Sequence, residues 1–581
     1  MKLRKLTIRN FRGIAQLEWG LNGNMVCLIG PGDSTKSTIL LALEYLFSSS
    51  WNLPVSDVDF HKMNIETPIE IIAVITELPE YLVSEDKFGL YLGFWNPQDS
   101  KLYEIQEHKS YQKALQIKLE ICRDLEPKWT VVSLQSDGRE PQSITAADRR
   151  ALGVTRIGNY VEADLAWGHN SALSRITQKE DISQIPAMLA DAERNILKAL
   201  KDMDFSALSQ AIQEVNSTSQ TLGARSQSAL QPGMDPMRVS LRQGAIALFD
   251  GDLPFSLRGA GSRRLMAMAI HKIATQEGAI ILVDEIENSL EPYRLRHLIR
   301  QLRPQANEKH QVIFTTHSSV AVVECEADEL YVVHSKDGTT AIVPVVKDLQ
   351  AVVRSVPEAF LSRKVIICEG KTESGLLISL DKEYWQKKHC GFTQYRHQTM
   401  AEAGVAPIES PKSGGSEAPK YAIALAKLGY RVAYFGDSDC DLNPSKNEME
   451  AAGVEAVLLW DGGVEIERRL CFDLPWDGLK QLVALAAELT GSEADIWNQI
   501  YTKLTGTGQN FMRCADLDRL TQEIEASVLR ENIGKAADDG KWFKRLDRGK
   551  DLGILLARYL DQMQSSPTMR TLRLLENWCY D

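Results

Sequence analysis

The chain has 581 residues, and at about 150 residues per domain that length calls for two to four domains rather than one small module. Hydrophobic residues make up 44% and charged residues 25%, a balance that excludes a disordered, collagenous or low-complexity chain. The formal charge of −12 excludes a generally basic coat, so any contact with nucleic acid has to be local. The longest apolar runs, such as 279–283, are too short to cross a bilayer, and the opening MKLRKLTIRN lacks the apolar stretch of a signal peptide. The expectation is a cytoplasmic protein with no membrane partner. Nine cysteines with no CxxC pair predict neither disulfides nor structural zinc.

In chain order, residues 1–130 read as α/β, with strands at 2–8, 25–29 and 68–78 and a helix at 37–47. Long helical segments follow at 186–199 and 205–215, and a polar stretch at 216–235, rich in Ser, Gln and Gly, reads as an exposed linker. An α/β pattern resumes at 237–345, with strands at 279–283 and 311–315. A second begins at Lys364, with strands at 364–368 and 431–435, a helix at 421–428 between them, and a helical run over 477–535. The predicted organisation is an α/β unit in two pieces, 1–150 and 236–350, split by a helical insertion at 151–235. A second α/β unit at 358–581 carries its own helical insertion.

Residues 25–47, MVCLIGPGDSTKSTILLALEYLF, place an apolar strand, a Gly-rich loop and a helix in direct succession. In such a P-loop, backbone N–H groups and the helix N-terminus bind phosphate oxygens. The expected cradle for ATP is Gly30, Gly32, Asp33, Ser34, Thr35, Lys36, Ser37 and Thr38, with Lys36 neutralising the β/γ charge and Ser37 holding Mg²⁺. Thr35 departs from the pattern, because a β-branched residue resists the positive φ that glycine tolerates. The run 279–285, AIILVDE, ends a strand in two carboxylates, Asp284 for the metal and Glu285 for the attacking water. QVIFTTHSS ends another strand near His317, placed to sense the γ-phosphate. SLRGAGSRR at 256–264 opens a helix at 265–273, with Gly259, Gly261 and Ser262 suited to anion contact.

In this order the motifs resemble those of ATP-binding-cassette ATPases of the SMC, RecF and OLD (overcoming lysogenization defect) type. LRGAGSRR looks like their signature motif, VDE like Walker B, and ENSLE at 287–291 like the D-loop. That resemblance implies two cassettes sandwiching ATP, hence a homodimer or higher homo-oligomer, and leaves His61 and Asp59 as candidates for the Q-loop.

A second constellation follows. KVIICEGKTE carries an apolar strand to Glu369, with Glu373 one helical turn on, and RVAYFGDSDCD ends a strand at Asp437 and Asp439, with Asp441 beyond. In extended geometry carboxylates at i and i+2 lie on one side and can share a hard cation, Mg²⁺ or Mn²⁺. These motifs resemble the Toprim catalytic fold of topoisomerases, primases and OLD nucleases, and ESPKSGGS at 409–416 leads into a helix as in that fold. GVEIERRL is similar to its later acidic motif, with Glu467 favoured and Glu465 in reserve. The resemblance implies Glu369, Glu373, Asp437, Asp439 and Glu467 as metal ligands and a catalytic lysine, Lys544 or Lys550. Arg545, Arg548, Lys550, Arg258, Arg263 and Arg264 are candidates to hold a DNA backbone.

A cassette joined to a Toprim unit looks like the OLD family of ATP-dependent endonucleases. The implied activity is two-metal cleavage or nicking of DNA under ATPase control, in anti-phage defence, with dimerisation through the 151–235 insertion and a second protein encoded nearby. Two other readings stand beside it. A topoisomerase needs a positioned tyrosine, and no motif singles out one of the 16. A nucleotide-gated clamp would keep the cassette and leave the Toprim acids vestigial.

Overall fold

The structure, a computed structural model, describes residues 1–133, 139–158, 161–167, 171–176, 184–201, 208–221, 246–274, 279–308, 310–388, 398–410, 417–508 and 511–581. The chain is mixed α/β and groups into two compact units, one of residues 1–5, 40–54 and 71–314, the other of 6–39, 55–70 and 315–581. The grouping runs through the N-terminal α/β region because strands there pair with partners remote in sequence. Among the described residues no helix is long and apolar enough to cross a membrane.

In the first unit, Ile280–Val283 lies parallel to both Val154–Ile157 and Gln311–Thr315. Its four side chains are all buried, as a central strand covered on both faces requires. An antiparallel run joins Gly93–Asn96, Lys101–Tyr103, Gln112–Ile121, Pro127–Val132 and Gln142–Ser143. No strand was expected here from the sequence, although Leu115, Ile117, Leu119 and Ile121 alternate inward along Gln112–Ile121.

Two helix boundaries differ from the expectation. Ser209–Thr221 continues into the stretch read as a linker, since no Gly or Pro precedes Gly223 to stop it; residues 222–235 lie outside the described ones. The helix expected at 265–273 is Ala260–Ala274, so Gly261 and Ser262 sit inside its first turn.

In the second unit the P-loop strand Met25–Ile29, wholly buried, runs parallel to Leu330–Lys336, which pairs antiparallel with Thr339–Pro344. A separate parallel sheet has the order Val405–Glu409, Lys364–Cys368, Arg431–Gly436, Ala456–Leu459. The helical run expected at 477–535 is Trp476–Thr490, Glu493–Thr505, Leu517–Leu520 and Ala526–Asp539. Its apolar faces share one core with the sheet, in which Ile366, Phe435 and Trp460 pack with Leu482, Ile500 and Ile533.

Two contacts fix the sites within this unit. Helix Leu546–Tyr559 packs on helix Lys371–Leu380 through glycines: a Cβ on Gly549 would lie 2.7 Å from the Thr372 carbonyl, and one on Gly553 2.6 Å from that of Leu376. His334, on the strand beside the P-loop strand, donates from Nε2 to the Leu428 carbonyl at 2.8 Å and meets the Tyr430 ring edge-on, just ahead of Arg431–Gly436.

Candidate functional site

Gly30 ends the P-loop strand at φ +132°, where a Cβ would lie 2.6 Å from the Val333 carbonyl oxygen, so the loop departs through a gap only glycine fits. Asp33 and Thr35 both hold left-handed backbone, at φ +59° and +67°. Asp tolerates that region; Thr, branched at Cβ, is strained in it. Thr35 Oγ1 lies 3.2 Å from Thr340 Oγ1, which anchors the strained residue. Lys36 is buried, and its Nζ donates to the carbonyls of Gly30 at 3.1 Å and Pro31 at 2.7 Å and to Ser34 Oγ at 3.0 Å. The loop thus curls around the ammonium group and presents its own oxygens to it, the position from which the lysine of a P-loop meets phosphate oxygens. Gly32 has open space where a Cβ would point, Ser37 and Thr38 follow in the first helical turn, and Ser37 is exposed.

Asp284 and Glu285 follow the strand Ile280–Val283 in the first unit, Asp284 buried and Glu285 at φ +47°. Asp284 Oδ2 accepts from Arg156 at 2.7 Å, and Arg156 also donates to Glu44 Oε2 at 2.6 Å. Arg264, 2% exposed, donates to the carbonyls of Asp284 at 2.7 Å and Glu285 at 2.8 Å. It therefore shapes this turn and is not available to DNA, contrary to the expectation from sequence. Gly261 faces the turn at 287–291, where a Cβ would lie 2.5 Å from the Ser289 carbonyl. Gly259 has nothing near its Cβ direction, and Ser262 Oγ accepts from Arg294 at 3.5 Å. His317 is exposed beyond Gln311–Thr315. Asp59 accepts from Arg12 Nε at 2.7 Å and His61 Nδ1 lies 2.8 Å from the Arg12 carbonyl, so both hold one turn together.

In the parallel sheet, Glu369 stands past Lys364–Cys368, and its Oε2 accepts from the Asp437 N–H at 2.8 Å and the Tyr434 hydroxyl at 3.4 Å. Glycine makes this approach possible, since a Cβ on Gly436 would lie 2.6 Å from Glu369 Oε2. Asp437 is buried and its Oδ1 accepts from the Ile466 N–H at 2.9 Å, at the start of helix Ile466–Asp473. Glu373 is buried on Lys371–Leu380. Glu467 is 1% exposed with no hydrogen bond to either carboxylate oxygen, and Lys544 Nζ stands 3.7 Å from its Oε2 and 3.6 Å from Asp538.

Burial, then Glu373, Glu467 and Glu369, push the Asp437 carboxyl up to about 9. Burial raises Glu467 to about 7 against the pull of Lys544, and burial likewise raises Glu369 and Glu373. Burial alone would lower the Lys544 ammonium, but Glu467, Asp437 and Glu373 together hold it above its ordinary value. Crowded carboxylates of this kind favour a bound cation.

The strand ends at Gly436, before Asp437 and Asp439, and the Asp439 charge still acts on the Glu369 carboxyl, helping to raise it. Asp437 turns inward to Ile466, and Asp439 is exposed with Cys440 Sγ 3.3 Å away. Glu465 pairs with Arg468 at 3.5 Å. Among the described residues Lys550 has no ion pair with the acids, and no three carboxylate, His or Cys side chains are arranged to hold a metal as they stand. The donor set itself fits a hard divalent cation: all oxygen, largely buried, with neither Glu467 oxygen hydrogen-bonded. Of the expected DNA contacts, Arg548 donates to the carbonyls of Trp542 and Leu489, Arg545 pairs with Asp547, Arg258 with Asp250 and Arg263 with Glu162. Six of the eight residues at 409–416 lie outside the described ones.

Sequence comparison places AAA-type ATPase domains within residues 1–324. Residues 1–136 match the AAA ATPase domain family, and residues 191–324 match the family of AAA domains of AbiEii-toxin type, Type IV TA system. Among curated proteins none matches. Similar solved structures include the SMC head domain from Thermotoga maritima, with 15% identity over 60% of this chain and 100% of that one, TM-score 0.28. Another is the Smc head domain with an extended coiled coil bound to the C-terminal domain of ScpA from Pyrococcus furiosus, with 13% identity over 61% and 99%, TM-score 0.32. A third is an SmcHead bound to the C-winged helix domain of ScpA, with 12% identity over 59% and 98%, TM-score 0.34. Superpositions this loose add nothing to the assignment.

Proposed function

We propose that this ATPase is also a metal-dependent DNA nuclease of OLD type, its second sheet a Toprim unit. The observation that supports the reading is the buried meeting of Glu369, Glu373, Asp437 and Glu467 beside Lys544, which no structural need of a parallel sheet accounts for. Mg²⁺ or Mn²⁺ held by Glu369, Asp437 and Glu467 would supply an acidified water and charge neutralisation at the phosphate. Asp437 is held in place by the Ile466 N–H, and Glu369 by the Asp437 N–H. Lys544, kept charged by its acid neighbours, is the cation for the phosphate oxygens, and it takes precedence over Lys550. In the cassette, Lys36 and Ser37 would serve the phosphates of ATP and Mg²⁺; Asp284 and Glu285, at the end of their own strand, have the side chains of a metal ligand and a water-polarising carboxylate; and the active species would be a homodimer in antiviral defence.

The test is incubation of supercoiled and linear DNA with Mg²⁺ or Mn²⁺, with and without ATP. Wild type is expected to nick or cut, and Asp437→Ala to lose cleavage by at least a hundredfold while ATP turnover persists. A second reading, a nucleotide-gated clamp that cuts nothing, is favoured by the side chains not converging in threes as they stand. Intact DNA under every condition would establish it instead.

A further inference from the structure

Beside the acids, a cavity of about 510 Å³ opens between the Asp437 turn, the end of strand Ala456–Leu459 and the first turns of helix Pro567–Tyr580. Ser438, the residue after Asp437, lines it together with the cations Lys446 and Arg570, the carboxylate Asp461, and Gly462 and Gly463. Its size is that of a pocket for a ligand of several hundred daltons.

Three features give the cavity a chemistry. Gly462 and Gly463 both hold positive φ, +97° and +65°; Arg469 Nη1, which donates to the Asp461 carbonyl, lies against Gly462, while Gly463 presents main chain that a sugar–phosphate chain can approach. Ser438 ties this turn to the acid site, its Oγ accepting from the Val464 N–H at 3.1 Å. The cations at the rim are only loosely engaged. Arg570 faces Asp461 at 3.3 Å with both side chains more than half exposed, and Lys446 stands 3.8 Å from Glu450 on its own helix. Exposed pairs of this kind contribute little and exchange readily for a phosphate oxygen.

We propose that this groove carries the phosphodiester backbone of the DNA strand flanking the bond at the acids, with Arg570 and Lys446 as its phosphate contacts. The assignment deepens, and rests on, the nuclease reading. Trp460 in the wall is buried and offers no face for a base to stack on, so the groove positions a strand through its phosphates and reads no sequence.

The experiment is fluorescence anisotropy of the full chain with a labelled single-stranded oligonucleotide, in chelator so that nothing is cut, across a salt series. Lys446→Ala/Arg570→Ala is expected to weaken binding about tenfold and to lower the slope of log K against log salt by roughly 0.7 for each phosphate that is no longer neutralised. Restoring the charge with Arg570→Lys should recover part of the affinity, and oligonucleotides of different sequence should behave alike. Unchanged affinity and slope would overturn the groove, as would displacement by a micromolar mononucleotide, which would mark a small-molecule pocket. If wild type binds DNA through these residues yet cuts none, the nuclease reading falls and the groove stands. If it cuts with a KM that the double variant leaves unchanged, the groove falls and the nuclease stands.

Discussion

At Thr35 the sequence already announces a conflict, because the P-loop pattern puts glycine where this chain has a β-branched residue. The backbone resolves it by keeping the glycine conformation, φ +67°, and tethering the side chain to Thr340. Thr35→Val removes the tether and keeps the strain, whereas Thr35→Gly removes both. The Gly variant is therefore expected to be more stable than the Val variant by about 1 kcal/mol, read from urea midpoints. Equal midpoints would mean the conformation carries no strain. His334 gives a second test. Burial lowers its pKa below 6.5, partly offset by the Leu428 carbonyl. The unfolded chain then takes up this proton at a pH where the folded chain does not, so stability is full above about 6.5 and falls as pH drops below it. Glu467, raised to about 7, gains stability over the same range, so the His334 effect is read as a difference: from pH 7.5 to 5.5 the denaturant midpoint of wild type should fall relative to that of His334→Gln. Single residues also mark where the sequence was silent. Arg264 and Arg548 read as DNA contacts because charge is visible in a sequence and burial is not; both are spent on carbonyls. Arg156, which holds Asp284, belongs to no motif, and neither do Lys446 and Arg570.

Elements whose signal is contiguous were legible. The strand–loop–helix at 25–46 and the strands ending at Val283, Cys368 and Gly436 each carry their apolar run and their terminal charge in one stretch of sequence. What depends on tertiary approach was not. Asp437 and Asp439 were expected on an extended strand, but the strand ends at Gly436, and Asp437 is fixed instead by a hydrogen bond from Ile466 at the start of a remote helix. Lys544 and Lys550 could not be separated by spacing, because the choice is made by helix Leu546–Tyr559 seating its glycines on Lys371–Leu380. That seating is testable. Gly549→Leu forces a side chain against the Thr372 carbonyl and should cost about 1–3 kcal/mol in a thermal melt. Cleavage should fall further than the melt explains, because the loop that holds Lys544 moves with the helix. Loss of stability with full cleavage per folded molecule would separate the packing from the site.

At the scale of the whole molecule, the question is whether nucleotide turnover governs the acids. Within the second unit the strand paired to the P-loop strand touches, through His334, the residues that lead into Arg431–Gly436. A rigid contact of this kind can bias both ends only if the strands have two arrangements. We expect Glu285→Gln, which should hold ATP uncleaved, to shift DNA cleavage in one direction relative to wild type as ATP is titrated, and His334→Ala to reduce that shift. Cleavage indifferent to ATP in Glu285→Gln would mean the two chemistries run independently. The helix pair joined through Gly375, Gly549 and Gly553 has a further consequence. At these glycines main chain lies on main chain, so the lysine's alignment with the acids is inherited largely from peptide geometry. Of the helices at 476–539, the last touches the chemistry directly, through Asp538 beside Lys544, so evolution could rebuild Glu493–Thr505 for new partners with less retuning than Ala526–Asp539.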